Sequence, residues 1–81
     1  MTEIIGQVVR LERVEGNSEG TVVIGGSIGR YRRRVKIRLS GESYRLAIRA
    51  HENQRMVIAT GEVALIRRSW WLVGDTEIHN S

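Results

Sequence analysis

Cations and aliphatic side chains alternate in the segment RYRRRVKIRL, which spans residues 30–39. Successive side chains of a β-strand point to opposite faces, so the segment predicts a strand with one basic and one aliphatic face. The basic face would hold Arg32, Arg34, Lys36 and Arg38, and the aliphatic face Val35, Ile37 and Leu39. The aliphatic face should then belong to the hydrophobic core, and the basic face to the surface.

A row of cations of one sign is suited to binding phosphate groups. Alternate residues of a strand lie about 7 Å apart, close to the phosphate repeat of an extended single strand of nucleic acid. Each neutralised phosphate also releases counterions, which favours binding. Arg33 could add its charge to the row. The other interpretation is a solvated outer face whose charge prevents edge-to-edge aggregation.

Further arginines and aromatic rings could extend this site. Arg30 and Tyr31 open the segment, and Arg67 and Arg68 precede the pair Trp70–Trp71. Neighbouring strand residues face opposite sides, so one tryptophan can enter the interior while the other offers a surface on which a base could stack. The other interpretation buries both rings, one in the core and one against the helix or a partner chain. The candidate nucleic-acid-binding residues are Arg30, Tyr31, Arg32, Arg34, Lys36, Arg38, Arg67, Arg68 and Trp70.

Catalysis has little support in the sequence. His51, His79 and Asp75 have no partner at the spacing of a catalytic triad or a metal site. The pattern GGSIG is not followed by a helix that could present its N-terminus to phosphate. Cysteine is absent, which excludes disulfides and thiolate metal sites. We therefore expect no catalytic residues, no cofactor and no metal site, and a protein that is not an enzyme.

The elements that would position these residues are mostly strands. Residues 4–14 and 21–29 have strand character, with a bulge or tight curvature at Gly25 and Gly26, and the basic segment forms a third strand. Residues 40–54 change to helical spacing, with Ser40 as N-cap. Strand character returns in residues 55–68 and in SWWLV, which leaves His79 in a tail. The apolar helix face would hold Tyr44, Ala47, Ile48 and His51.

Five short, glycine-bent strands can close on themselves and use the helix as a plug. We therefore predict an all-β fold, a five-stranded OB-like barrel with one helix between strands 3 and 4, in a single domain over residues 1–81. The sequence resembles the OB-fold superfamily in its element order, in the glycine of its first strand and in the glycine of its fourth strand. The segment VKIRLSGESYRLAIRAHENQRMVIATGEV is also similar to small domains of uncharacterised bacterial proteins.

The OB-fold resemblance implies where a ligand would lie. In that superfamily, ligands usually cross the second and third strands, between the loop joining strands 1 and 2 and the loop joining strands 4 and 5. The resemblance therefore places the basic row at the binding surface. The first of those loops carries Glu15 and Glu19, and Glu12 lies just before it. These carboxylates would repel phosphate.

Composition is compatible with a polyanionic partner. Thirteen lysines and arginines against nine acidic residues give a formal charge of +4, and twelve of the thirteen cations are arginine, whose planar fork of donors suits phosphate. The amino-terminal sequence lacks the pattern of a signal peptide, and the apolar runs are far shorter than the roughly 20 residues of a membrane span. We expect a cytoplasmic protein with no membrane span.

Two classes of function remain open. The first is a nucleic-acid-binding module that takes single-stranded DNA or RNA with low sequence specificity. The second is a protein-interaction module, such as a small phage-type inhibitor or an assembly subunit. In that case the arginines would meet an acidic protein surface, or the tryptophan pair would seal a homo-oligomer.

Overall fold

The computed structural model describes residues 1–13 and 19–81, and the order of its elements is the predicted one. Glu15 lies outside the described residues. Three strands are followed by a helix and two further strands, as expected. The elements are β1 (Thr2–Arg13), β2 (Glu19–Ile28), β3 (Tyr31–Ser40), α1 (Gly41–Glu52), β4 (Met56–Ile66) and β5 (Ser69–Asn80).

The five strands form a closed barrel in the order β1-β2-β3-β5-β4. β3 and β5 run parallel, and the four other neighbouring pairs are antiparallel. This confirms the predicted five-stranded, OB-like barrel with a helix between β3 and β4. Because β3 and β5 are parallel, the turns that precede them lie at the same end of the barrel. Arg30 in the β2–β3 turn therefore lies at the same end as Arg67 and Arg68 in the β4–β5 turn.

The interior of the barrel confirms the facing predicted for β3. Val35, Ile37 and Leu39 are buried among the other core side chains, whereas Arg34 and Arg38 are exposed. The inward-facing residues of β2, such as Val22 and Ile24, pair directly with those of β3. Removing these aliphatic side chains from water provides the main stabilisation of the barrel, and the register keeps the cations outside.

Helix α1 packs on the barrel through a stripe that matches the predicted one only in part. Tyr44, Ala47 and Ala50 are buried, whereas Ile48 is half-buried and His51 is exposed. The buried residues recur at a spacing of three, so the helix presents a narrow stripe containing two small alanines, which allow close approach. Ser40 occupies the N-cap position, as predicted, although its side chain makes no capping hydrogen bond.

Close approach of the β1 and β2 backbones explains the glycines at Gly6 and Gly26, which pair with each other. A Cβ atom on Gly6 would lie 2.2 Å from the Gly25 carbonyl oxygen, and one on Gly26 would lie 2.3 Å from the Ile5 carbonyl oxygen. Gly25 and Gly26 do not form the bulge that was one of the two alternatives, because the pairing of β2 is continuous there. The register shifts lie elsewhere, between Val8 and Arg10 in β1 and around Gly61 in β4.

Strand β5 is longer than the predicted SWWLV segment. It continues through Gly74, which has φ of 80°, and ends at Asn80, so His79 lies in a strand and not in a tail. Pairing with β4 explains the extension, because Ile78 lies opposite Ala59 and is buried with it. No helix among residues 1–13 and 19–81 is long and apolar enough to cross a membrane.

Candidate functional site

The outer face of β3 carries the predicted row of cations. Each of the four pairs across the sheet with a small or uncharged residue of β2, so β2 places no carboxylate directly opposite the row. The pairs are Arg32 with Ser27, Arg34 with Gly25, Lys36 with Val23, and Arg38 with Thr21. The sequence prediction is therefore confirmed for the position of this basic face, which we define as Arg32, Arg34, Lys36 and Arg38.

The basic face is not neutralised within the described part of the chain. The ion pairs there join Arg10 to Glu12 at 3.1 Å, Arg45 to Glu42 at 2.5 Å, and His79 to Glu77 at 3.2 Å. The Arg45 guanidinium also donates a hydrogen bond to Glu42 and lowers the pKa of that carboxyl. Three described carboxylates, those of Glu12, Glu42 and Glu77, thus pair with cations outside the basic face, although Glu12 also lines a groove with Arg34 and Lys36.

The β4–β5 turn brings a further arginine, Arg68, to this surface. Arg67 and Arg68 form a two-residue hairpin turn between the paired residues Ile66 and Ser69, with φ values of 48° and 68°. Arg68 and Trp70 line a groove of about 280 Å³ together with Arg34, Lys36, Arg10, Glu12, Val23 and Ser69. The turn therefore joins the basic face at β3, as the strand order requires.

The two tryptophans lie in different environments. Trp70 pairs with Val35 and packs partly against the core, whereas Trp71 pairs with Lys36. The Lys36 Nζ lies 5.6 Å from the centre of a Trp71 ring, within the range of a cation–π contact. Opposite facing of the pair is thus confirmed, with one ring packed against the core and the other beside the basic face.

Arg33 connects the aromatic residues at the open end of the barrel. Its guanidinium carbon lies 5.0 Å from the centre of a Trp70 ring and 5.4 Å from the centre of the Tyr31 ring. Tyr31 is 65% exposed, so one face of this cluster is accessible to a flat ligand. Guanidinium groups and aromatic rings both stack on nucleobases.

Not every candidate residue joins one continuous surface. Arg30 is exposed in the β2–β3 turn, and among the described contacts none links its side chain to the basic face. Arg38 lies at the opposite end of β3, beyond the grooves that Arg34 lines. The structure thus groups Arg32, Arg34 and Lys36 with Arg68 and Trp70 most closely.

Arg33 and Trp71 are not in the list of candidate binding residues, although the sequence allowed Arg33 to add its charge to the row and either tryptophan to be the exposed one. The alternation rule places Arg33 on the core side of β3, but the barrel end there is open enough for its side chain to reach two rings. The position of Trp71 depends on the parallel pairing of β3 with β5, which no local sequence pattern reveals. The spacing of Tyr31 and Arg33 on one strand face was the available signal for this cluster.

The histidines make local contacts. His51 Nδ1 donates a hydrogen bond to the Val8 carbonyl at 2.8 Å, which ties α1 to β1. His79 pairs with Glu77 on the surface of β5. Across residues 1–13 and 19–81, no three histidine or acidic side chains cluster in a way that could hold a metal ion.

The function of this protein must be inferred from its own residues, because comparison with known proteins finds no match. No protein-family model, no curated protein and no solved structure matches the chain. The strand order is consistent with an OB-like topology, but a fold of this kind supports many unrelated functions. Charge, accessibility and ring geometry on the outer face of β3 are therefore what a function must be argued from.

Proposed function

We propose that this protein is a nucleic-acid-binding module that takes single-stranded DNA or RNA with low sequence specificity. The observation that carries the proposal is the basic face of β3, whose four cations make no ion pair with a described carboxylate. Exposed cations of one sign on one strand face repel one another modestly and produce a positive potential that attracts a polyanion. A polyphosphate chain is the anion whose repeat fits the row.

The spacing of the cations favours a single strand as the ligand. Side chains on one face of a strand repeat at about 7 Å, which suits an extended phosphate chain. The Tyr31–Arg33–Trp70 cluster and Trp71 would supply stacking surfaces beside that track. Stacking accepts any base, because every base has a π-face, and phosphate contacts carry no sequence information. Low sequence specificity follows. A cytoplasmic location would give the protein access to messenger RNA and to exposed DNA strands.

A matched pair of charge-reversal variants tests the proposal. Arg34→Glu with Lys36→Glu should weaken binding of a labelled oligonucleotide by at least about a hundredfold, because two favourable phosphate contacts become repulsive. Arg49→Glu with Arg55→Glu removes the same net charge from exposed positions in and after α1 and should change affinity far less. The measurement is fluorescence anisotropy at fixed salt, with circular dichroism to show that both variants fold. Equal losses in the two variants would mean that net charge, and not the basic face, governs binding.

A second candidate function is favoured by the exposed apolar side chains of the β4–β5 hairpin. Leu65 is 60% exposed and Ile66 45% exposed, and Val73, which pairs with Glu62 further along the hairpin, is also exposed. Exposed aliphatic residues of this kind are typical of protein interaction surfaces when they form a contiguous patch. In this alternative the hairpin would dock on a partner protein or a second copy. Ile66→Glu would then abolish assembly in analytical ultracentrifugation, while the charge reversals on β3 would leave it intact.

A further inference from the structure

Gly25 forms the floor of a groove on the outer face of the barrel. It lies on β2 between Gln7 of β1 and Arg34 of β3, which pair with it from either side. The groove has a volume of about 320 Å³, which is within the lower range of small-ligand sites. Its lining residues are Gln7, Val9, Gly25, Gly26, Arg32, Arg33 and Arg34.

The fold requires Gly26 but does not require Gly25. A Cβ atom on Gly26 would collide with the backbone of β1, whereas one on Gly25 would meet only the Val9 side chain, at 3.2 Å from Cγ1. Val9 lies at the register shift of β1 and is 40% exposed, so it can move by the few tenths of an ångström that a methyl group needs. The backbone of Gly25 is also outside the left-handed region. A glycine that neither backbone geometry nor backbone contacts demand weakens its strand, and such glycines often mark the close approach of a ligand.

The walls of the groove combine three kinds of chemistry. Arg32 and Arg34 contribute guanidinium groups that can bind a phosphate through paired hydrogen bonds. Val9 contributes an exposed apolar surface. The Gln7 amide donates to the Gln54 carbonyl at 3.4 Å, a long and exposed contact that can be exchanged for a ligand. An anion-binding pair of guanidinium groups, an apolar surface and an amide together match the phosphate, face and edge of one nucleotide.

We propose that this groove is a nucleotide subsite of the single-strand track. The phosphate lies between Arg32 and Arg34, and the base lies over the Gly25 backbone against Val9, with the Gln7 amide at its edge. This inference rests on the proposed function, because it places one unit of the same ligand. It adds a contact that depends on shape and not on charge.

Gly25→Ala tests the subsite without changing the charge of the protein. The probe is a fluorescently labelled oligothymidylate of about 12 nucleotides, within the usual length bound by one such barrel. The alanine methyl group should fill the floor and weaken binding about tenfold, the equivalent of losing one stacked base. Its thermal unfolding temperature should equal or exceed that of the wild type. Thr21→Val, on the outer face of the same strand, is the control and should leave affinity unchanged.

The outcomes separate this inference from the proposed function. A wild-type protein that does not bind the probe overturns both. A wild-type protein that binds, with Gly25→Ala binding equally well, overturns the subsite alone. If Gly25→Ala fails to fold, the claim that the fold tolerates a side chain there is wrong. Val9→Phe then decides the subsite, because it fills the same groove from an exposed position on β1 and should also weaken binding about tenfold.

Discussion

Two adjacent arginines form the β4–β5 turn in a backbone conformation that suits neither. A two-residue hairpin with positive φ at both positions is the arrangement for which Asn-Gly is preferred. Arg67 and Arg68 adopt φ of 48° and 68°. For residues other than glycine, asparagine and aspartate, the left-handed conformation costs about 1–2 kcal/mol of conformational free energy per residue. Strain of this kind concentrates at functional sites, and here the turn places Arg68 in a groove with Arg34 and Lys36 of β3.

Replacing this turn should therefore separate stability from binding. Arg67→Asn with Arg68→Gly should raise the free energy of unfolding by about 1–2 kcal/mol, because the new residues fit the turn. If the proposed function holds, the same variant should lose affinity for a single strand, because two cations at this end of the barrel are gone. Urea unfolding and anisotropy titration measure the two effects.

The charge-conserving variant is the control for the turn. Arg67→Lys with Arg68→Lys retains both the strain and the positive charge, so its stability and affinity should stay near those of the wild type. An Asn-Gly turn that stabilises the barrel and binds with unchanged affinity would remove Arg67 and Arg68 from the binding surface.

Core-facing and surface-facing residues alternate along β3. Substitutions at two adjacent positions test which residues face the core. Ile37→Asp should abolish the cooperative thermal transition, because it places a carboxylate in the barrel interior, where Ile37 is fully buried. Arg38→Asp lies on the exposed face and should change stability by less than about 0.5 kcal/mol. Circular dichroism during heating distinguishes them. Greater destabilisation by Arg38→Asp would reverse the assigned faces.

Local patterns account for some elements better than for others. Alternation in residues 34–39 was strong enough to predict both faces of β3. The length of β5 was missed because Gly74 and Asp75 have the composition of a turn, and only pairing with β4 keeps Ile78 in a strand. The helix face was partly wrong because Ile48 is more apolar than Ala50, yet the close packing of α1 on the barrel favours the smaller side chain.

Closure of the whole barrel determines which cations become neighbours. The parallel pairing of β3 with β5 places Lys36 beside Trp71 and brings the β4–β5 turn toward Arg34. Such a contact between distant segments has no local signal, so the sequence predicted a basic row with Tyr31 and Trp70 as candidate extensions but did not place Trp71 beside Lys36. The Gly25 groove was also missed, because its shape depends on three strands meeting in register.

Salt dependence of binding tests the central claim most directly. If the basic face contacts a single strand through about three to five phosphates, log affinity should fall linearly with log salt at a slope of roughly −2 to −3.5. The measurement is an anisotropy titration of a labelled oligonucleotide with the wild-type protein at several salt concentrations. A slope in that range for both DNA and RNA of mixed sequence is the predicted result. A flat dependence on salt, or no binding at low salt, would contradict the assignment of this protein as a nucleic-acid-binding module.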